Sequence, residues 1–541
     1  MSNALRGLAR QTAVLKTSTP QTVRTPGRTD EVKNNAGGFV FRVSNRDRLE
    51  RFLILGTDGG TYYVGEQKLT EQNAAFVKKM VAENEALVLQ TILDVSTTGR
   101  AYRNSPALFA LAVVMTEGKN KAAAREAVQK VARTSTHIFE FAQYIDDLGG
   151  WGRAKRKAVA GWYEDKTPEA LAYQAVKYRQ RDGWTHRDLF RLSHPVGVEP
   201  TVGNFILKGE TSVDREGSIL TGFGYIQNAA SAKEVVKVLN EFPNLPWETV
   251  PTMFLKDVKV WKTIFANGQL KGQALVRNIV RLSRLGAFND MVFAGDYAKA
   301  LTDEQMIRKS RLHPINFLNA MVTYEEGQAD RSGSQGWYDN GRKKDWTVEP
   351  VIRDALNDAF HTSFKTIEPA GKRTMLALDV SASMGSMANG LDLSCAQVGA
   401  AMAMTIARSE PYYKVMGFAT EFRDLNISPK DNLSTTMSKT SRLAFGGTNC
   451  ALPIQYAAKE KIEVDTFVVI TDNETWGGGV KPFQALKQYR DKTGIPARLA
   501  VFGVASTPFT IADPSDRGMM DFVGFDSNAP RVLADFSAGR L

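Results

Sequence analysis

The sequence predicts a multidomain fold: an α-helical repeat solenoid over the front two-thirds and a doubly wound α/β domain behind it. Three observations carry this reading. From position 69 to 366, apolar residues recur at helical spacing in units of about 10–16 residues, separated by short Gly-, Pro- or Asn-containing joints. After Gly371, short apolar runs alternate with helical patterns, the signature of a parallel sheet covered by helices. Charge divides at the same place: residues 1–370 hold 51 Lys and Arg against 41 Asp and Glu, whereas residues 371–541 hold 18 against 17. An anionic partner is therefore expected on the front part.

Composition removes several classes. At 541 residues the chain exceeds what one hydrophobic core serves, and 43% apolar content excludes wholesale disorder. Two cysteines, Cys395 and Cys450, make no disulfide framework, which suits a reducing compartment. No apolar run reaches the roughly 18 residues a membrane span needs, so a cytoplasmic protein with no membrane association is expected.

Residues 1–37 carry six basic and two acidic residues among Thr, Ser and Pro, and read as a flexible basic tail. Residues 39–43 alternate like a strand, 48–55 form an amphipathic turn or two, and 61–64 return as a strand after Asp58-Gly59-Gly60. Helices are then expected on both sides of residue 84 and from Pro106, followed by 121–132, 137–148, 153–163, 168–180, 199–208, 231–241, 270–284, 302–310, 313–324 and 346–366. Residues 332–346 read as a polar loop. The C-terminal part offers strands at 374–378, 413–419, 466–470, 497–504 and 522–525, with helices at 393–408, 450–460, 482–490 and from Pro530.

Chemistry concentrates at the end of the first of these strands. Asp379, Ser381 and Ser383 follow it directly; Gly446 and Gly447 free a second loop to bring Thr448 inward; Asp472 ends another apolar strand. Two carboxylates and three hydroxyls, with neither His nor thiolate, suit a hard divalent cation, Mg²⁺ first and Mn²⁺ as its substitute, rather than zinc. So few charges leave one coordination position for water or an acidic group from a partner. Strand-end caps and turns would use the same residue types, but three such loops in order favour the metal. No general base stands beside a nucleophile, so no hydrolytic centre is expected.

Basic residues make two further groups. Residues 153–191 hold ten Lys and Arg against five acids; Arg153, Arg156 and Lys157 share a helical face, as do Lys177 and Arg181, with His186 and Arg187 nearby. Long cations meet phosphates, and aromatics or His can stack on unpaired bases. A solvated face has the same charge, and Trp162, Trp184 and His186 suit a core equally well. Arg277, Arg281 and Arg284 form a stripe opposite Val276, Ile279 and Val280, which fits either the inner wall of a curved solenoid or its wet outer face.

Several long segments resemble the Ro autoantigen ribonucleoproteins, which join a TROVE domain to a von Willebrand factor A domain: RLERFLILGTDGGTYYVGEQKL at 48–69, KYRQRDGWTHRDLFRLSHP at 177–195, RLHPINFLNAM at 311–321, LALDVSASM at 376–384, TDNETW at 471–476 and FTIADPSDRGMMDFVGFD at 509–526. The resemblance covers the chain from Gly38. It implies a HEAT-like helical solenoid over 38–369 closed into a ring, its ends joined by a Rossmann-like von Willebrand factor A domain over 370–541. It further implies a noncatalytic protein in RNA quality control, ribosomal RNA maturation or decay. Single-stranded 3′ ends of misfolded or immature structured RNAs would enter the hole and a Y RNA would bind outside. Bacterial members imply polynucleotide phosphorylase, or another exoribonuclease, as partner. By motif match His186 is the outer-surface RNA contact, and Asp379, Ser381, Ser383, Thr448 and Asp472 complete the metal-ion-dependent adhesion site. Asp182 departs from an expected Asn. The competing reading is a metal-dependent protein-interaction scaffold in which the basic charge is incidental.

Overall fold

The computed structural model describes residues 18–57, 66–211, 218–310, 312–327, 345–364, 368–388, 393–440, 447–524 and 528–540. The front part is helical, as the periodicity predicts. Lys121–Val131 shows the rule: Asn120 caps it through Ala123 N–H, and Ala124, Ala127, Val128 and Val131 bury one face at i, i+3, i+4, i+7 spacing. Ser105–Glu117 buries nearly every side chain from Ala107 to Met115, because neighbours cover it on several sides. Glu66–Thr98 is two helices meeting at Asn84, whose φ of −154° is not helical and whose side chain caps Leu87 N–H.

Each helix packs mainly on elements one or two places along the chain. Glu66–Thr98 lies on Ser105–Glu117, which lies on Lys121–Val131 and Ser135–Asp147; Lys121–Val131 lies on Arg153–Glu164. The series runs on to Met291–Thr302, Pro314–Glu326 and Pro350–Thr362, which pack together. This nearest-neighbour stacking is what makes a solenoid. Helices at His186–Ser193, Ile219–Gln227, Val258–Ala266 and Met291–Thr302 add to those read from the sequence.

Behind it stands a six-stranded sheet in the order Met519–Val523, Arg498–Gly503, Thr466–Thr471, Thr374–Asp379, Tyr413–Phe418, Phe422–Asp424. All pairs are parallel except the last. Thr374–Asp379 and Thr466–Thr471 are buried at every position, as strands covered on both faces must be. Cys395–Ser409 lies against Thr374–Asp379, and Gly399 lets it approach, since a Cβ there would stand 3.3 Å from Ile470.

The helical part returns on itself at this domain. Its first helix, Asn45–Leu55, packs on Met519–Val523, and its last leads directly into the sheet. The Tyr102 ring lies 6.1 Å from the ring of His313, so the beginning and end of the helical series also meet each other. Arg51 ties the closure: 1% exposed, it donates to the Thr507 and Phe509 carbonyls, both at 2.7 Å, and pairs with Asp521.

Two expectations need correction. Residues 18–37 are not a loose tail: Thr19, Gln21, Thr25, Glu31 and Asn34 are buried on the α/β domain. There Glu31–Lys33 pairs with Phe39–Arg42, which pairs with Phe509–Thr510. Charged residues read as solvating are instead consumed in pairs, Arg28 with Asp513 and Glu31 with Lys481. The helix expected at 270–284 is broken at Asn278 into Gln273–Arg277 and Ile279–Arg284. The basic stretch 1–17, the strand expected at 61–64, most of the polar loop at 332–346, and Arg311, Phe445 and Gly446 lie outside the described residues.

Candidate cation site and nucleic-acid interface

Thr374–Asp379 and Thr466–Thr471 are adjacent, and the sheet runs outward from them in both directions. Their carboxyl ends therefore form the crevice where doubly wound sheets place ligands. Asp379, Ser381, Ser383, Thr448 and Asp472 are all buried there. The Ser381 N–H donates to Asp379 Oδ1 at 2.9 Å, and the Ser381 and Ser383 hydroxyls stand 3.0 Å apart. Ser383 in turn hydrogen-bonds the Asp472 carboxylate. The loop bearing Thr448 is tied to the same place: the Thr448 carbonyl accepts from Trp476 N–H at 3.1 Å and Gly477 N–H at 2.8 Å. The structure thus gathers all five predicted residues at one strand-end crevice.

Burial, and then the charge of Asp472, push the Asp379 carboxyl up to about 7; burial raises Asp472 as well. Two desolvated carboxylates facing one another, with only oxygen donors around them, fit a small hard divalent cation, which offsets both charges. Among the described residues no three His, Cys, Asp or Glu side chains gather as a metal-ligand group. The candidate set is accordingly two carboxylates and three hydroxyls. Thr471 escapes the sequence reading: its hydroxyl donates to Asp379 Oδ2 at 2.7 Å, and the Thr-Asp pair ending the strand was the available signal.

The basic residues sort differently. Arg153, Arg156 and Lys157 are exposed on Arg153–Glu164, whose buried side carries Ala158, Val159 and Trp162. Arg181 and Arg187 are exposed as well; Arg187 Nε donates to the Leu207 carbonyl at 2.7 Å. Lys177 is half-buried, and although burial pulls its pKa down, the charge of Glu248 at 3.5 Å holds it well above the usual lysine value. Arg277, Arg281 and Arg284 are exposed, with Val276 and Ile279 buried opposite. Arg281 lies over the Trp247 and Trp261 rings at 5.9 and 5.6 Å; Arg284 lies over Trp346 at 5.3 Å and pairs with Asp345. The turn Trp247–Thr249 therefore stands between Lys177 and Arg281, a proximity that spacing along the chain does not show.

His186 is interior, contrary to its expected place on the outer surface. It is 4% exposed, its ring packs against Phe139, Trp162 and Tyr163, and its Nδ1 lies 2.9 Å from the Tyr163 hydroxyl. Burial drives its pKa down to about 3, so the ring is neutral. The cause is local: Thr185 and Asp188 form a capping box that starts a helix at His186 and turns its side chain under the hairpin Gln180–Arg181, Trp184–Thr185. Asp182 and Gly183 close that hairpin with φ of 53° and 79°, a type of turn that accepts Asp or Asn alike.

Two family models cover this architecture: the TROVE domain matches residues 32–214 and 242–372, and the Ro60 vWA domain matches residues 373–537. The chain belongs to the Ro60 family. It is 40% identical to the RNA-binding protein RO60 of Deinococcus radiodurans over 554 residues, covering all of both chains. It is 31% identical to that of Caenorhabditis elegans, covering 94% of this chain and 90% of the relative. The crystal structure of the Deinococcus radiodurans RO (RSR) protein shares the fold with a TM-score of 0.69 at 39% identity, over 92% of this chain and 100% of that one. No described helix of this Ro60 family member is long and apolar enough to cross a membrane.

Proposed function

We propose that the chain is a noncatalytic RNA-binding ring. It holds single-stranded 3′ ends of misfolded or immature structured RNAs in its hole, binds a Y RNA outside, and works with an exoribonuclease such as polynucleotide phosphorylase in the cytoplasm. Both relatives are named RNA-binding proteins. The observation that carries the reading is the set of exposed cations on a helical series whose two ends are tied together. In this reading Arg153, Arg156, Lys157, Arg181 and Arg187 meet the outer RNA, and Arg277, Arg281 and Arg284 grip the tail, with Lys177 near the latter group. His186 acts through Tyr163 and the hairpin above it, as a support rather than a contact. Binding should weaken steeply with salt and favour a hairpin RNA with a single-stranded 3′ tail over the same hairpin blunt-ended. Equal competition by the blunt hairpin would end the threading part of the proposal.

A second reading stands beside it because the all-oxygen crevice is a recruitment site as much as a structural one. Mg²⁺, or Mn²⁺, would be held by Asp379, Ser381, Ser383, Thr448 and Asp472. It would supply a Lewis-acidic point for a carboxylate of a protein partner. Asp379→Ala separates the readings: loss of a protein partner with RNA binding intact assigns the α/β domain to recruitment.

A further inference from the structure

The segment that precedes the helical ring is built into the cation site of the opposite end of the chain. The Gln21 amide donates to Asn449 Oδ1 at 2.8 Å and to the Val480 carbonyl at 3.1 Å, and its Oε1 accepts from the Thr475 hydroxyl. Gln21 thus grips residues beside Thr448 on one loop and near Asp472 on the other. Thr475 also donates to the Thr448 carbonyl at 3.3 Å and accepts from Cys450 N–H at 3.2 Å. Asn34 donates to the Thr475 carbonyl at 2.8 Å and the Asn473 carbonyl at 3.3 Å. Asn35 and the Ala36 N–H donate to the carboxylate of Glu474 at 2.6 and 3.0 Å. Gly38 passes so close to the Thr475 carbonyl that no side chain fits there. The strap continues through Phe39–Arg42 into the ring-closing helix Asn45–Leu55.

We infer that residues 18–44 are a positioning strap for the cation site, Gln21 and Asn34 holding the Thr448 and Asp472 loops in register, so that cation binding and closure of the helical ring are linked. The inference rests on the reading of the crevice as a divalent-cation site. Its physical basis is that groups fixing ligand-bearing loops set metal affinity nearly as strongly as the ligands do. Linkage is reciprocal: a cation that favours the assembled loops must also favour the docked strap, and with it the closed ring.

The test uses the full chain and Mn²⁺ as probe, with affinity read by calorimetric titration and strap docking by hydrogen exchange of residues 18–44. Gln21→Ala and Asn34→Ala should bind Mn²⁺ roughly 10- to 100-fold more weakly than the parent, while Val23→Ala, exposed on the same strap, should bind as the parent does. Mn²⁺ should slow exchange of the strap in the parent and leave Asp379→Ala unchanged. This exchange measurement on the unaltered protein answers the case in which a strap variant fails to fold. If the parent binds Mn²⁺ and Asp379→Ala does not, yet strap exchange is unmoved and both strap variants bind as the parent, the linkage is wrong and the site reading survives. If the parent binds no Mn²⁺, the site reading is wrong and the strap's role falls with it.

Discussion

The helical half buries histidines, and the α/β half buries carboxylic acids. His137, His186 and His361 are driven down to about 4, 3 and 3, in each case first by burial. Asp379 and Glu474 are driven up to about 7, again first by burial, and Asp521 is raised. Opposite pH responses follow. An unfolded histidine takes a proton near pH 6.5 that the buried ring refuses, so the helical half loses stability as pH falls from about 6.5 toward 3. A buried acid keeps a proton that the unfolded chain has released, so the α/β half loses stability as pH rises from about 4 to 7. The contrast teaches where each half keeps its chemistry. The helices bury neutral groups and leave their cations outside for a large anionic partner; the sheet hides its charged oxygens at the strand ends for a small one.

The largest effect should come where the halves meet. Arg51→Ala strands the Asp521 carboxylate and two carbonyls in a buried joint, and should cost about 3–5 kcal/mol in thermal or denaturant unfolding. Next, His186→Gln keeps a hydrogen-bond partner for Tyr163 but cannot titrate. Calorimetry should show acid sensitivity reduced by about 1.4 kcal/mol per pH unit below 6.5, with unfolding of the α/β half unchanged. An unaltered acid limb would mean that the half-to-half contrast arises elsewhere. Replacing Arg277, Arg281 and Arg284 together with Ala should lower the slope of log affinity for tailed RNA against log salt by roughly one per lost phosphate contact. Stability should hardly change, since these side chains are exposed. The smallest effect belongs to Asp182→Asn, which keeps the turn and removes only a surface partner 3.4 Å from Arg181; stability should move by less than about 0.5 kcal/mol.

Legibility followed the same division. The cation crevice could be read because a buried strand fixes which residues emerge at its carboxyl end, so Asp379, Ser381, Ser383 and Asp472 share a place before any coordinates exist. The Arg277–Arg281–Arg284 face was readable for the same geometric reason, but periodicity carries no information on which side of a curved solenoid a face lies. His186 was misplaced by attention to its basic neighbours, although Thr185 and Asp188 already spelled a capping box that starts a helix at that residue. The strap was least legible. Gln21, Arg28 and Asn34 find partners more than 430 positions away, and a polar residue satisfied over such a distance leaves no local pattern.

The central claim is that a single-stranded RNA end lies along the Arg277–Arg281–Arg284 face while structured RNA lies on the 153–191 face. Photo-crosslinking a hairpin RNA carrying one reactive base at its 3′ terminus and another in its stem, followed by peptide mapping, tests it directly. The account predicts terminal crosslinks within 273–284 and stem crosslinks within 153–191. Terminal crosslinks to 153–191, or the same peptides from both positions, would contradict it.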